Sequence, residues 1–150
     1  MPMPNGLTLY VIPPTHIDQA WAEGAHWLSE ATALASNECT GSQLKYRLAL
    51  GHLILLCARE EEKPVAWLAV SFQQLANMRV LHIHAIYAPG ATTAAAFEML
   101  TQYARQQGAS AIQGACSEAV ARLWHHKFGF DETYRIMRKT LWTAAAVTPT

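Results

Sequence analysis

Two apolar runs, Leu53 to Ala58 and Pro64 to Phe72, flank the charged tetrad Glu60-Glu61-Glu62-Lys63, and a third, Val80 to Tyr87, follows a polar connection at Gln73 to Met78. Each run has the length and near-continuous apolar character of a buried strand. The spacing predicts a β-hairpin with a solvated acidic tip, followed by a third long strand at the centre of the sheet. The remaining elements have to arrange themselves around these three.

Upstream, Thr8 to Ile12 is β-branched and aromatic and is stopped by Pro13-Pro14, as a short first strand would be. Thr15, with Asp18 three residues on, predicts a capped helix in which Ile17, Trp21 and Leu28 recur at helical spacing. Ser36 to Gly41 reads as a loop. Ser42 then opens a shorter helix with Leu44 and Leu48 on one face and Gly51 as its stop. Downstream, Thr92 or Thr93 caps a helix to about Gln107 that carries Ala96, Phe97, Leu100 and Ala104 and stops at Gly108. A strand over Ser110 to Cys116 follows, then a helix capped by Ser117 with Val120, Leu123, Trp124 and Phe128. A last strand is expected over Thr133 to Leu141, after a Gly129-Phe130 turn.

The predicted order is β-α-α-β-β-β-α-β-α-β, an α/β (α+β) fold with a mixed, mostly antiparallel sheet and helices on both faces. Val80 to Cys116 should form a right-handed parallel crossover. Residues 1–141 are expected to form one domain. The tail 142–150, rich in Ala and Thr and without periodicity, is expected to dock on protein.

Composition narrows the function classes. The 150 residues are 51% hydrophobic but only 15% charged, with no formal net charge. Such a chain is too apolar for disorder and too neutral to neutralise phosphates, which argues against nucleic acid and anionic membrane as partners. The longest apolar stretch falls far short of a membrane span, and Met1 to Gly6 lacks the regions of a signal peptide. Cys39, Cys57 and Cys116 are an odd number without CxxC spacing, so a reducing cytoplasm is expected.

The segment Glu118-Ala-Val-Ala-Arg-Leu-Trp-His-His-Lys-Phe-Gly-Phe130, followed by Tyr134 to Leu141, resembles the late motif of the GNAT superfamily of acyl-coenzyme A dependent N-acyltransferases. The likeness of arrangement spans Thr8 to Leu141. Leu48 to Ala58 and Val65 to Val70 also resemble small GNAT-like proteins of tailed bacteriophages. The resemblance implies acetyl-CoA or another acyl-CoA as cosubstrate and an amine as acceptor. It also implies a phosphate cradle formed by Ile86, Tyr87, Ala88, Gly90, Ala91, Thr92 and Thr93 at the N-terminus of the following helix. The usual Arg/Gln-x-x-Gly-x-Gly/Ala loop is here Ala88-Pro89-Gly90-Ala91-Thr92-Thr93-Ala94, with one glycine, no Arg or Gln, and a proline without an amide hydrogen.

Counting back from Gly129-Phe130, the family's tyrosine acid falls on His125, or on Trp124 if aromatic character is matched. A histidine with a pKa of about 6.5 can protonate a thiolate whose conjugate acid is near about 8.5, whereas indole has no titratable proton. His82 and His84, at i and i+2 on a strand, share a face and are the candidate bases. They also spell a His-x-His pair, but no further ligand stands at a telling spacing, so no metal is expected. Cys116 reads as a small buried thiol, and Trp21, Trp27 and Trp67 as packing residues. Two functions follow from the resemblance. One is acyl transfer in a ternary complex, with His82 or His84 as base and His125 as acid. The other is a GNAT-like binding or virion protein without chemistry, whose partners would be other proteins.

Overall fold

The computed structural model describes residues 6–35, 38–89 and 94–141. Its sheet has five strands in the order β1 (Leu7–Ile12), β2 (Ile54–Glu60), β3 (Lys63–Gln74), β4 (Arg79–Tyr87) and β5 (Ala111–Gly114). The first four are antiparallel neighbours, while β4 and β5 are parallel. That parallel pair is joined through helix α4 (Ala94–Gln106), as the crossover predicts. The acidic tetrad is the hairpin tip. Glu61 and Glu62 both adopt positive φ, 51° and 69°, the signature of a two-residue type I′ turn.

The segment after β1 differs from expectation in having three helices, α1 (Ile17–Glu23), α2 (Leu28–Ala35) and α3 (Gly41–Ala49), with short 3-10 turns at Pro14–His16 and Ala25–Trp27. The long helix expected from Thr15 breaks at Gly24, whose φ of 156° is unfavourable for other residues. A Cβ there would also lie 2.9 Å from the indole nitrogen of Trp67. Thr15 caps nothing and instead contacts the His16 ring, and Asp18 pairs with Lys45 of α3 at 2.9 Å. Helix α3 is capped by Thr40 rather than Ser42. The Thr40 hydroxyl accepts from the Gln43 amide, and the Gln43 side chain accepts from the Thr40 amide, forming a capping box.

Helices cover both faces of the sheet. On one, Ile17, Leu28, Leu44 and Leu48 meet Leu55, Cys57, Trp67 and Ala69 in a continuous buried cluster. On the other, Phe72 of β3 packs against Tyr103 of α4, with ring centroids 5.8 Å apart. Trp67 is buried as predicted, but Trp27 is 41% exposed and stacks on Tyr87. All three cysteines are free; Cys57 is buried and Cys116, past the end of β5, is exposed rather than buried. No described helix is long and apolar enough to cross a membrane.

Among the described residues, 118–141 form a separate compact unit containing α5 (Glu118–Phe128). The strand expected over Thr133 to Leu141 is not formed, since residues 129–141 carry no strand pairing. The pattern of apolar side chains is present, but a strand exists only with a ladder partner, and Tyr134, Ile136, Met137 and Leu141 remain exposed. Residues 142–150, the expected docking tail, lie outside the described residues.

Candidate active site

The site is built on β4. Ala69 of β3 faces Ala85, but the next residue, Val70, faces Ile83, so His84 is an extra residue on β4, a β-bulge. Bulges re-aim side chains, and they are over-represented beside active sites. The His82 and His84 rings meet edge to face with centroids 4.7 Å apart, so the two histidines paired in the sequence are brought together.

Each has a partner that the sequence did not reveal. The Gln113 side-chain amide donates to His82 Nδ1 at 3.1 Å, which leaves the His82 proton on Nε2. Ser71 Oγ lies 2.7 Å from His84 Nε2. When His84 donates from Nε2 to that hydroxyl, its Nδ1 keeps a free lone pair. In that tautomer the two rings take different jobs: His82 presents a hydrogen-bond donor and His84 a proton acceptor. Both Gln113 and Ser71 lie one strand away from their partner. Only the register identifies them: Ser71 faces His82 on β3, and Gln113 faces His82 on β5.

Burial pushes both rings below the ordinary imidazole pKa of 6.5. His84 falls to about 4, with the neighbouring His82 and the Arg47 guanidinium adding to desolvation, while Glu38 partly opposes the fall at His82. At neutral pH His84 is an uncharged acceptor. Because its folded pKa lies below the unfolded value, the associated stability is complete above about pH 6.5 and is lost as the pH falls toward 4. The ring is only half-buried, so solvent screening reduces this loss to about 1 kcal/mol. An NMR titration of the histidine ring protons should place the His84 midpoint near 4. A midpoint above 6 would contradict the desolvated geometry.

Beside this pair the sheet opens. β5 pairs with β4 only from Val80 to Ile83; beyond the bulged His84, Ala85 to Tyr87 continue with β3 on one side and have no β5 partner on the other. An amide-bearing chain can lie along such a free strand edge as an added strand does. Ile86, Tyr87 and Ala88 stand on or just past this stretch. Gly90, Ala91, Thr92 and Thr93, the remainder of the expected phosphate cradle, lie outside the described residues. What is described fits an acyl-CoA arm along β4, while Pro89 offers no amide to its phosphates.

His125 belongs to the second unit. In the last turn of α5 its Nδ1 donates to the Phe130 carbonyl at 2.7 Å and lies 3.4 Å from the Asp131 carboxylate. Proton exchange is therefore left to Nε2. Trp124, the alternative in the motif, packs its ring against Phe130 at 5.0 Å. Cys116 makes no hydrogen bond among the described residues, and local desolvation raises its thiol pKa, so nothing activates it as a nucleophile. No group of three or more His, Cys, Asp or Glu side chains with metal-binding geometry occurs among the described residues.

No family model matches the chain, and no curated protein matches it by sequence. Solved structures do match by shape. An aminoglycoside acetyltransferase, meta-AAC0020, from an uncultured soil metagenomic sample and in complex with sisomicin, is similar with a TM-score of 0.62 and 14% identity, covering 92% of this chain and 98% of that one. A predicted acetyltransferase from Clostridium acetobutylicum with acetyl-CoA gives 0.60 and 17%, covering 90% and 96%. A Trypanosoma brucei acetyltransferase gives 0.57 and 18%, covering 90% and 99%. At these identities the likeness is one of fold, and the fold of this chain is that of the GNAT acetyltransferases.

Proposed function

We propose that this chain is an N-acyltransferase that passes an acetyl or other short acyl group from acyl-coenzyme A to an amine. The observation that carries the reading is the edge of β4 from His84 to Tyr87 that β5 leaves without a ladder partner, and which begins at the bulged, Ser71-bound histidine. Fold neighbours that hold acetyl-CoA or coenzyme A give it support.

In this reading the acceptor amine attacks the thioester carbonyl as the free base. The C–N bond forms first, and the nitrogen, now strongly acidic, gives its proton to His84 Nδ1 directly or through one water. His82, holding its proton on Nε2 because Gln113 occupies Nδ1, is a fixed donor for charge developing on the carbonyl oxygen. Collapse breaks the C–S bond, and the departing thiolate takes a proton from an acid. The resemblance assigns that role to His125, whose Nδ1 is held by the Phe130 carbonyl and whose Nε2 is left to act. Phosphate contacts are assigned to Gly90, Ala91, Thr92 and Thr93. The chain is read as one GNAT-like domain over residues 1–141, with a tail after it.

A direct test is to add acetyl-CoA to the folded chain. Saturable binding, followed by amine-dependent release of the thiol, supports the reading; a chain that binds no coenzyme A is left with the alternative of a GNAT-like binding or virion protein.

A further inference from the structure

Arg47 is the one described arginine or lysine brought into electrostatic contact with the histidine pair. It lies on α3, is half-buried, and depresses His84 through its charge. Among the described residues its guanidinium makes no hydrogen bond and no ion pair, although Arg59 is paired with Glu23, Arg122 with Glu118 and Arg135 with Glu132. A guanidinium carries five donors in a rigid fork that matches a carboxylate. Leaving it half-buried without an anion is costly, and doing so beside a base that it weakens adds to that cost. Arg47 lines a groove of about 450 Å³ together with Glu38, Cys39, Ser42, Gln43 and Tyr46. Glu38, at the same groove, also acts electrostatically on His82.

We propose that this groove selects the acceptor: Arg47 binds a carboxylate on the amine substrate, so the amines acylated are amino-acid-like zwitterions. This rests on the acyltransferase reading for the word "acceptor", but the groove makes a binding claim of its own. A carboxylate needs only the fork of Arg47. A phosphate dianion would bring a second negative charge toward Glu38, and a simple amine would leave Arg47 unpaired. Ser42 and Gln43 add side-chain polar groups to the lining, the Gln43 oxygen being held by the Thr40 amide, and exposed Tyr46 adds a wall for a side chain.

The test reads binding, not turnover. The twenty standard amino acids and their amides are titrated into the intact chain by calorimetry or ligand-observed NMR, with inorganic phosphate as competitor. At least one amino acid should bind about tenfold or more tightly than its own amide, the cost of losing a charge-assisted bidentate pair. Arg47→Gln should abolish that difference while leaving acetyl-CoA affinity unchanged. Arg47→Lys, which keeps the charge but not the fork, should recover only part of it and guards against misfolding of the first variant. Acids and amides that bind alike or not at all, a preference that survives Arg47→Gln, or phosphate displacing the best amino acid at lower concentration would each overturn the proposal. A chain that shows the Arg47-dependent preference yet binds no acetyl-CoA would keep the groove and lose the acyltransferase.

Discussion

Replacing His84 with alanine is expected to lower kcat/KM for amine acylation about 10²- to 10³-fold, the range for losing a positioned general base, while acetyl-CoA affinity stays within about twofold. The expectation comes from the two hydrogen bonds at the centre of β4. His82 has its basic nitrogen occupied by Gln113, whereas His84, when its Nε2 donates to Ser71, keeps Nδ1 available. The low His84 pKa sets a further signature. A base near 4 does not deprotonate an ammonium ion in solution, so kcat/KM should rise with the fraction of free amine, and the titration of His84 should add no break of its own near pH 6.5. Full activity in the alanine variant would take the base role away from His84. A loss confined to KM would make it a binding group instead.

The largest effect on stability is expected at Trp67. Its side chain is 3% exposed, belongs to the cluster that joins the helices to β2 and β3, and stands against Gly24. Trp67→Ala should cost about 3–5 kcal/mol, because the indole fills space that the rigid sheet and three short helices cannot close. For a chain of this length that corresponds to a fall in Tm of roughly 10 °C. It would consume much of the roughly 5–15 kcal/mol by which such domains are stable. A urea midpoint close to that of the parent chain would show that the α1–α2 corner is not anchored on this ring.

The strands were legible because each buried run announces itself by continuous apolar character, and the hairpin tip because four charged residues have no other place to go. The α4 crossover was legible for a similar reason: its apolar face and its glycine stop are local signals. The break at Gly24 was not, because it depends on a close approach by Trp67 from another strand. The cap on α3 was readable in principle, since Thr40 and Gln43 stand at capping-box spacing, yet Ser42 competed for the same role. At the site, the His82 and His84 pair followed from period two along a strand. Ser71 and Gln113 did not, because pairing partners are set by register, and here the register is shifted by the bulge at His84. Thr133 to Leu141 shows the converse: alternation alone does not make a strand where no neighbour supplies the ladder. Arg47 gave no signal as a lone arginine on an amphipathic helix. It gains meaning only from having no ion pair among the described residues and from the effect of its charge on His84.

Acyl transfer by this chain requires first that it hold acyl-coenzyme A. A calorimetric titration of acetyl-CoA, paired with the melting temperature at a hundredfold excess over the dissociation constant, measures that without needing the acceptor. The free β4 edge and the GNAT fold predict saturation in the micromolar range and a stabilisation of about 2.7 kcal/mol, or roughly 5–10 °C in Tm. No saturation and no thermal shift at millimolar acetyl-CoA would contradict it.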